Sequence, residues 1–137
     1  MRLDYRLKGS DFINAGKASS NVKGVLKQLG VSSALIKRVV VALYETEVNV
    51  AAHADEGEIM VEIGSDSIHI VVSDRGPGIA DIEQAMQAGF STASKEVREM
   101  GFGAGMGLPN IKKNSDTFRI ESTPGEGTMV EIINRLS

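Results

Sequence analysis

The 137-residue sequence contains no cysteine, so it has neither a disulfide framework nor a thiolate metal site. Its two histidines are too few for a histidine-rich metal centre. No stretch approaches the roughly 20 consecutive apolar residues of a membrane-spanning helix. The opening MRLDYRLKGSD is charged where a secretory signal needs an apolar run. Neither sign of charge dominates. Fifteen basic against eighteen acidic side chains leave a net charge of −3, which offers no general attraction to nucleic acid or anionic lipid. These absences set the expectation of a cytoplasmic protein with no nucleic-acid and no membrane partner. Repeats, low-complexity tracts and linkers are missing too, and the length suits one cooperative domain spanning residues 1–137.

What is present is a succession of periodic segments. Leu3, Tyr5 and Leu7 alternate with polar residues, the period of a half-buried strand that ends at Gly9-Ser10 and can form a sheet edge. Over residues 11–29 the apolar positions Phe12, Ala15, Ala18, Val22, Val25, Leu26 and Leu29 recur in steps of three and four, predicting an amphipathic helix stopped by Gly30. A second helix follows, capped by Ser32 or Ser33. It is apolar on most of its circumference, which marks it as central and buried. EIMVEIG and SIHIVVSD then read as a hairpin. Short helices are expected over residues 81–88 and 108–114, with two closing strands, TFRIEST and GTMVEIINRL, around Pro124-Gly125-Glu126-Gly127. The order predicts an α+β two-layer sandwich, a mixed, mostly antiparallel sheet with helices on one face.

Three groups of residues stand out for their chemistry. Glu45 and Asn49 lie one turn apart on the central helix, on a stripe shared with Arg38, Ala42 and Ala52. They read either as polar groups satisfied by backbone or by Arg38, or as a site. In the second case the amide oxygen suits Mg²⁺, which keeps waters and phosphate oxygens as its other ligands, and the carboxylate suits a general base. Asp74-Arg75-Gly76-Pro77-Gly78 ends a buried strand. It is either a turn with an Asx hydrogen bond or a carboxylate beside backbone of little bulk, placed to accept from an exocyclic amine. Residues 101–107, where Gly101, Gly103, Gly105 and Gly107 alternate with other residues before Leu108, can present amide N–H groups to phosphate or serve as a hinge. No Gly-Lys-Ser/Thr follows, which excludes a Walker A loop, and the run does not sit at the start of a βαβ unit, which excludes a dinucleotide fingerprint.

Taken in order, Glu-x-x-x-Asn, Asp-x-Gly-x-Gly, Gly-x-Gly-x-Gly-Leu and Gly127-Thr128 resemble the four nucleotide-binding boxes of the GHKL superfamily, whose ATP-binding domain is the Bergerat fold. The resemblance spans residues 45–128. It is strongest toward the small serine/threonine kinases of the anti-sigma factor and stress-switch group. It implies that ATP and Mg²⁺ are bound, with Asn49 holding the metal and Asp74 contacting adenine. Gly76 and Gly78 would shape the base pocket, and Thr128 would support the adenine contact. A lid over residues 89–107 would contribute Gly101, Gly103, Gly105 and Gly107, with Leu108 directly after it in the same motif. Glu45 takes the family's general-base position. His53 falls where members often have histidine and reads here as a packed or surface residue. Lys95 and Arg98 in the lid read either as charges that reach phosphate or, the commoner case for such residues, as solvated ones. The implied function is phosphorylation of a small regulatory partner, a STAS-domain protein. The alternative is a nucleotide-controlled anti-sigma-like module that sequesters a sigma factor. A homodimer is a further expectation, from the resemblance and from the edge character of residues 3–7.

Overall fold

The computed structural model describes residues 1–79, 81–87 and 107–137. The chain runs β1 (Arg2–Lys8), α1 (Lys17–Gln28), α2 (Ser33–His53), β2 (Glu56–Ile63), β3 (Ser67–Arg75), α3 (Ile82–Ala85), α4 (Gly107–Lys113), β4 (Thr117–Thr123) and β5 (Gly127–Arg135). The five strands form one sheet in the order β1-β2-β3-β5-β4, so β1 and β4 are its edges. Every ladder among the described residues is antiparallel, where the sequence pattern suggested a mixed sheet. The reason lies partly in the connections. Two helices, not one, separate β1 from β2, so the chain has reversed direction when it returns, and β2–β3 and β4–β5 are joined by tight turns.

Alternation along the strands separates two faces. Leu3, Val61, Ile70, Ile132 and Phe118 line up in register across all five strands. Ile59, Val61, Ile68, Ile70 and Ile132 are fully buried on this face, packed with Leu26, Val39 and Leu43 of the helices and Ile111 of α4. The opposite face is charged, with Arg2, Arg6 and Lys8 standing across from Glu62, Glu58 and Glu56. This is the expected two-layer α+β arrangement, with α2 lying between α1 and α4.

The first helix is shorter than its apolar period suggests. Asp11 accepts hydrogen bonds from the Asn14 backbone N–H at 3.3 Å and from its side-chain amide at 2.7 Å. Such local bonding competes with helix, and Gly16 then turns the chain with φ 102° before α1 begins. α1 has no acid in its first turn and no side-chain cap from its own N-cap residue. The fully buried carboxylate of Glu47, on α2, takes that place, accepting from the N–H groups of Ala18 at 2.9 Å and Ser19 at 3.3 Å. At the start of α2, Ser32 adopts the extended cap conformation without a side-chain hydrogen bond.

Candidate functional site

Helical periodicity places Glu45 and Asn49 on the side of α2 that faces α4, and both are half-buried there. The Asn110 side-chain amide donates to Glu45 Oε1 at 3.4 Å. Gly107, the first residue of α4, lies so close to Asn49 that a Cβ there would stand 2.6 Å from Asn49 Oδ1. A side chain at this position would push the Asn49 amide out of its present place. Arg38, the alternative partner for Glu45 on the same stripe, instead pairs with Asp116 at 2.8 Å. The polar pair on α2 is therefore not consumed by that arginine.

One turn beyond Asn49, the C-terminal end of α2 meets the Asp74–Gly78 segment. A Cβ on Gly76 would press on Ala54 Cα at 2.9 Å and on the His53 carbonyl oxygen at 3.3 Å. From Glu45 to Ala54 the helix rises by about 13 Å, so the groups form a row along α2. Burial pulls the His53 imidazole below its ordinary value.

Asp74 sits near the end of β3, across from Gly57 on β2. Desolvation raises its carboxyl above the usual value, and the Thr128 backbone N–H, donating to Oδ1 at 3.1 Å, partly opposes that rise. Ser122 on β4 supports the same corner. Its hydroxyl donates to the Gly127 carbonyl at 3.0 Å, accepts from the Ile79 N–H at 2.7 Å and lies 2.9 Å from the Thr128 hydroxyl. The glycine segment is tied to the β4–β5 turn by Gly76 N–H to Glu126 O at 3.1 Å and Gly125 N–H to Pro77 O at 2.8 Å. Gly78, with φ 71°, packs against the Thr123 carbonyl at a distance that admits no side chain. Asp74, Gly76, Gly78 and Thr128 thus come together around one corner, and Glu45, Asn49 and Gly107 around another, with α2 joining them. Leu108 packs on the core beside Gly107. Gly89, Lys95, Arg98, Gly101, Gly103 and Gly105 lie outside the described residues, so the proposed lid rests on sequence alone.

Residues 10–134 match the family described as histidine kinase-like ATPase domain. The chain belongs to this family. It is 35% identical over 118 residues to the serine/threonine-protein kinase RsbT of Bacillus subtilis, covering 83% of each chain. It is also 35% identical over 137 residues to an anti-sigma F factor of Thermoanaerobacter, covering 96% of this chain and 90% of that one. Among solved structures, a mycobacterial sensor histidine kinase, MprB, superposes with a TM-score of 0.52 over 73% of this chain and 71% of its own, at 21% identity. That likeness concerns the fold. Among the residues of this histidine kinase-like ATPase domain that bear on the site, sequence reasoning missed Asn110 and Ser122. Both are short polar residues in ordinary-looking segments, separated by 65 and 6 positions from the partners that give them meaning.

Proposed function

We propose that this chain is an ATP- and Mg²⁺-dependent serine/threonine protein kinase acting on a small regulatory protein in a partner-switching system, a STAS-domain protein being the expected class. The observation that carries the reading is the pairing of Glu45 and Asn49 on one face of α2, with Gly107 leaving Asn49 Oδ1 its space and Arg38 engaged elsewhere. The family match and the 35% identity to a protein named as a serine/threonine kinase support it.

The residues fit the cofactors. A single amide oxygen beside a residue with no side chain suits a metal that takes its remaining ligands from water and phosphate. Asn49 would hold Mg²⁺, which supplies neutralisation of charge on the transferring phosphoryl group. Asp74 would accept from the adenine amine, its Oδ1 oriented by the Thr128 N–H. Gly76 and Gly78 keep the neighbouring backbone free of side chains. The acceptor hydroxyl oxygen attacks the γ-phosphorus, the bond to the bridging oxygen of ADP breaks, and Glu45 takes the hydroxyl proton. Asn110 orients the Glu45 carboxylate from α4.

A second reading keeps nucleotide binding and replaces transfer by sequestration of a sigma factor. Its support is the extended similarity to a protein named as an anti-sigma F factor. The two readings separate when γ-labelled ATP, Mg²⁺ and candidate STAS proteins are incubated with wild type, Glu45→Ala, Asn49→Ala and Asn110→Ala. Asn49→Ala is expected to lose nucleotide binding. Glu45→Ala is expected to keep it while transfer falls by about 10² or more. Asn110→Ala should slow transfer about tenfold with ATP affinity preserved, as befits a positioning residue. Nucleotide binding without labelling of any acceptor would favour sequestration, and folded protein that gives no calorimetric signal with Mg-ATP would sink both readings.

A further inference from the structure

A groove of about 660 Å³ opens between α1 and α2, with Lys17, Ser20 and Lys23 on one wall and Val40, Val41 and Tyr44 on the other. Its surroundings break the charge balance of the chain. Residues 17–44 contain five basic side chains and no acid, although acids outnumber bases in the whole sequence. Arg38 is paired with Asp116, while Lys17, Lys23, Lys27 and Lys37 are exposed and form no ion pair among the described residues. Apolar surface adjoins these charges: Tyr44 is 38% exposed, and Ile13, just before the groove, is 93% exposed. The walls are preformed, because buried Glu47 on α2 holds the first turn of α1.

We propose that this groove is a docking site for an acidic amphipathic helix of a protein partner. The open groove between two helices has room for a third helix laid along it. The valines and Tyr44 supply the apolar floor that a helix stripe needs, and the lysines face the acids that flank such a stripe. Of the lining side chains only Tyr44 can stack on a base, so a nucleic acid would leave Val40 and Val41 without a complement. The inference goes beyond the nucleotide reading and is testable without it, since Lys17, Lys23 and Tyr44 line the groove and are not among the residues of the nucleotide site, while Glu45 contacts Asn110 of α4. A partner held here would lie beside the helix that carries the proposed base.

The test titrates the isotopically labelled full chain with a peptide of about four helical turns, built of glutamate with leucine at helical spacing. Amide shifts are expected at residues 15–23 and 40–44. Lys17→Glu/Lys23→Glu should weaken binding about tenfold, Tyr44→Ala should weaken it also, and both variants should keep the wild-type melting curve and Mg-ATP affinity. Lys17→Gln/Lys23→Gln should fall between wild type and the charge reversal. The proposal is overturned if the peptide produces no shifts in the groove, or if charge reversal leaves its affinity unchanged. It is also overturned if the lysine counterpart of the peptide binds as well, or if phosphatidylserine vesicles or single-stranded DNA occupy the groove more tightly than the acidic peptide.

Discussion

At Asp74 the fold holds a carboxylate in a half-buried corner, where desolvation raises its pKa from the ordinary 3.8 and the Thr128 N–H only partly offsets the rise. A raised carboxyl favours the folded state fully below the unfolded value and loses that advantage as pH rises through the folded one. At neutral pH the charge is therefore a cost in the free protein. Asp74→Asn retains an acceptor for Thr128 without the charge, and should raise the melting temperature of the free protein by about 3 °C at pH 7.5. The gain should vanish below about pH 4, and the same variant should lose ATP affinity. Melting curves across pH, read beside calorimetric titration with ATP, check both halves. Asp-x-Gly-x-Gly was legible in the sequence because turn chemistry advertises itself. Ser122, which braces the same corner, was not, since a serine in a strand has no meaning until its neighbours across the sheet are known.

Elements differ in how much of their stability is their own. α2 declares itself by a long apolar period, and it starts after Ser32, one of the two expected cap positions. α1 starts six residues later than its period suggests, because Asp11, Asn14 and Gly16 bend the chain and the cap comes from a different helix. Removing that cap with Glu47→Ala leaves the Ala18 and Ser19 N–H groups buried without an acceptor. We expect a loss of about 2 kcal/mol in denaturant unfolding. Amides of α1 should exchange faster before those of β3 do. If all amides lose protection equally, the cap belongs to the global fold and not to α1. Glu47 was hidden in plain view, two residues from the singled-out Glu45. The helical period sends it to the opposite side of α2, and only the position of α1 makes that side interior.

Across the whole molecule, Asp116 joins parts distant in sequence. It accepts from Arg38 of α2 at 2.8 Å and from the Arg135 N–H at the end of β5 at 2.8 Å. The Arg135 N–H, then the Arg38 guanidinium, hold its carboxyl below the ordinary 3.8. A lowered carboxyl contributes stability that is complete above the unfolded value and disappears as pH falls through the folded one. The stability gap between wild type and Asp116→Asn should thus be constant at neutral pH and close in acid, as measured by urea unfolding at a series of pH values. A gap that persists in acid would assign the effect to packing. The sequence by itself determined the strands, the central helix, the two-layer architecture and the identity of the polar residues on α2 and after β3, because period and turn chemistry are local. Only the tertiary structure decided that α4 brings Asn110 to Glu45, that Glu47 caps α1, and that a basic groove opens beside Tyr44. Each of these depends on contacts between segments far apart in the chain, and no local pattern encodes which distant surface a side chain will meet.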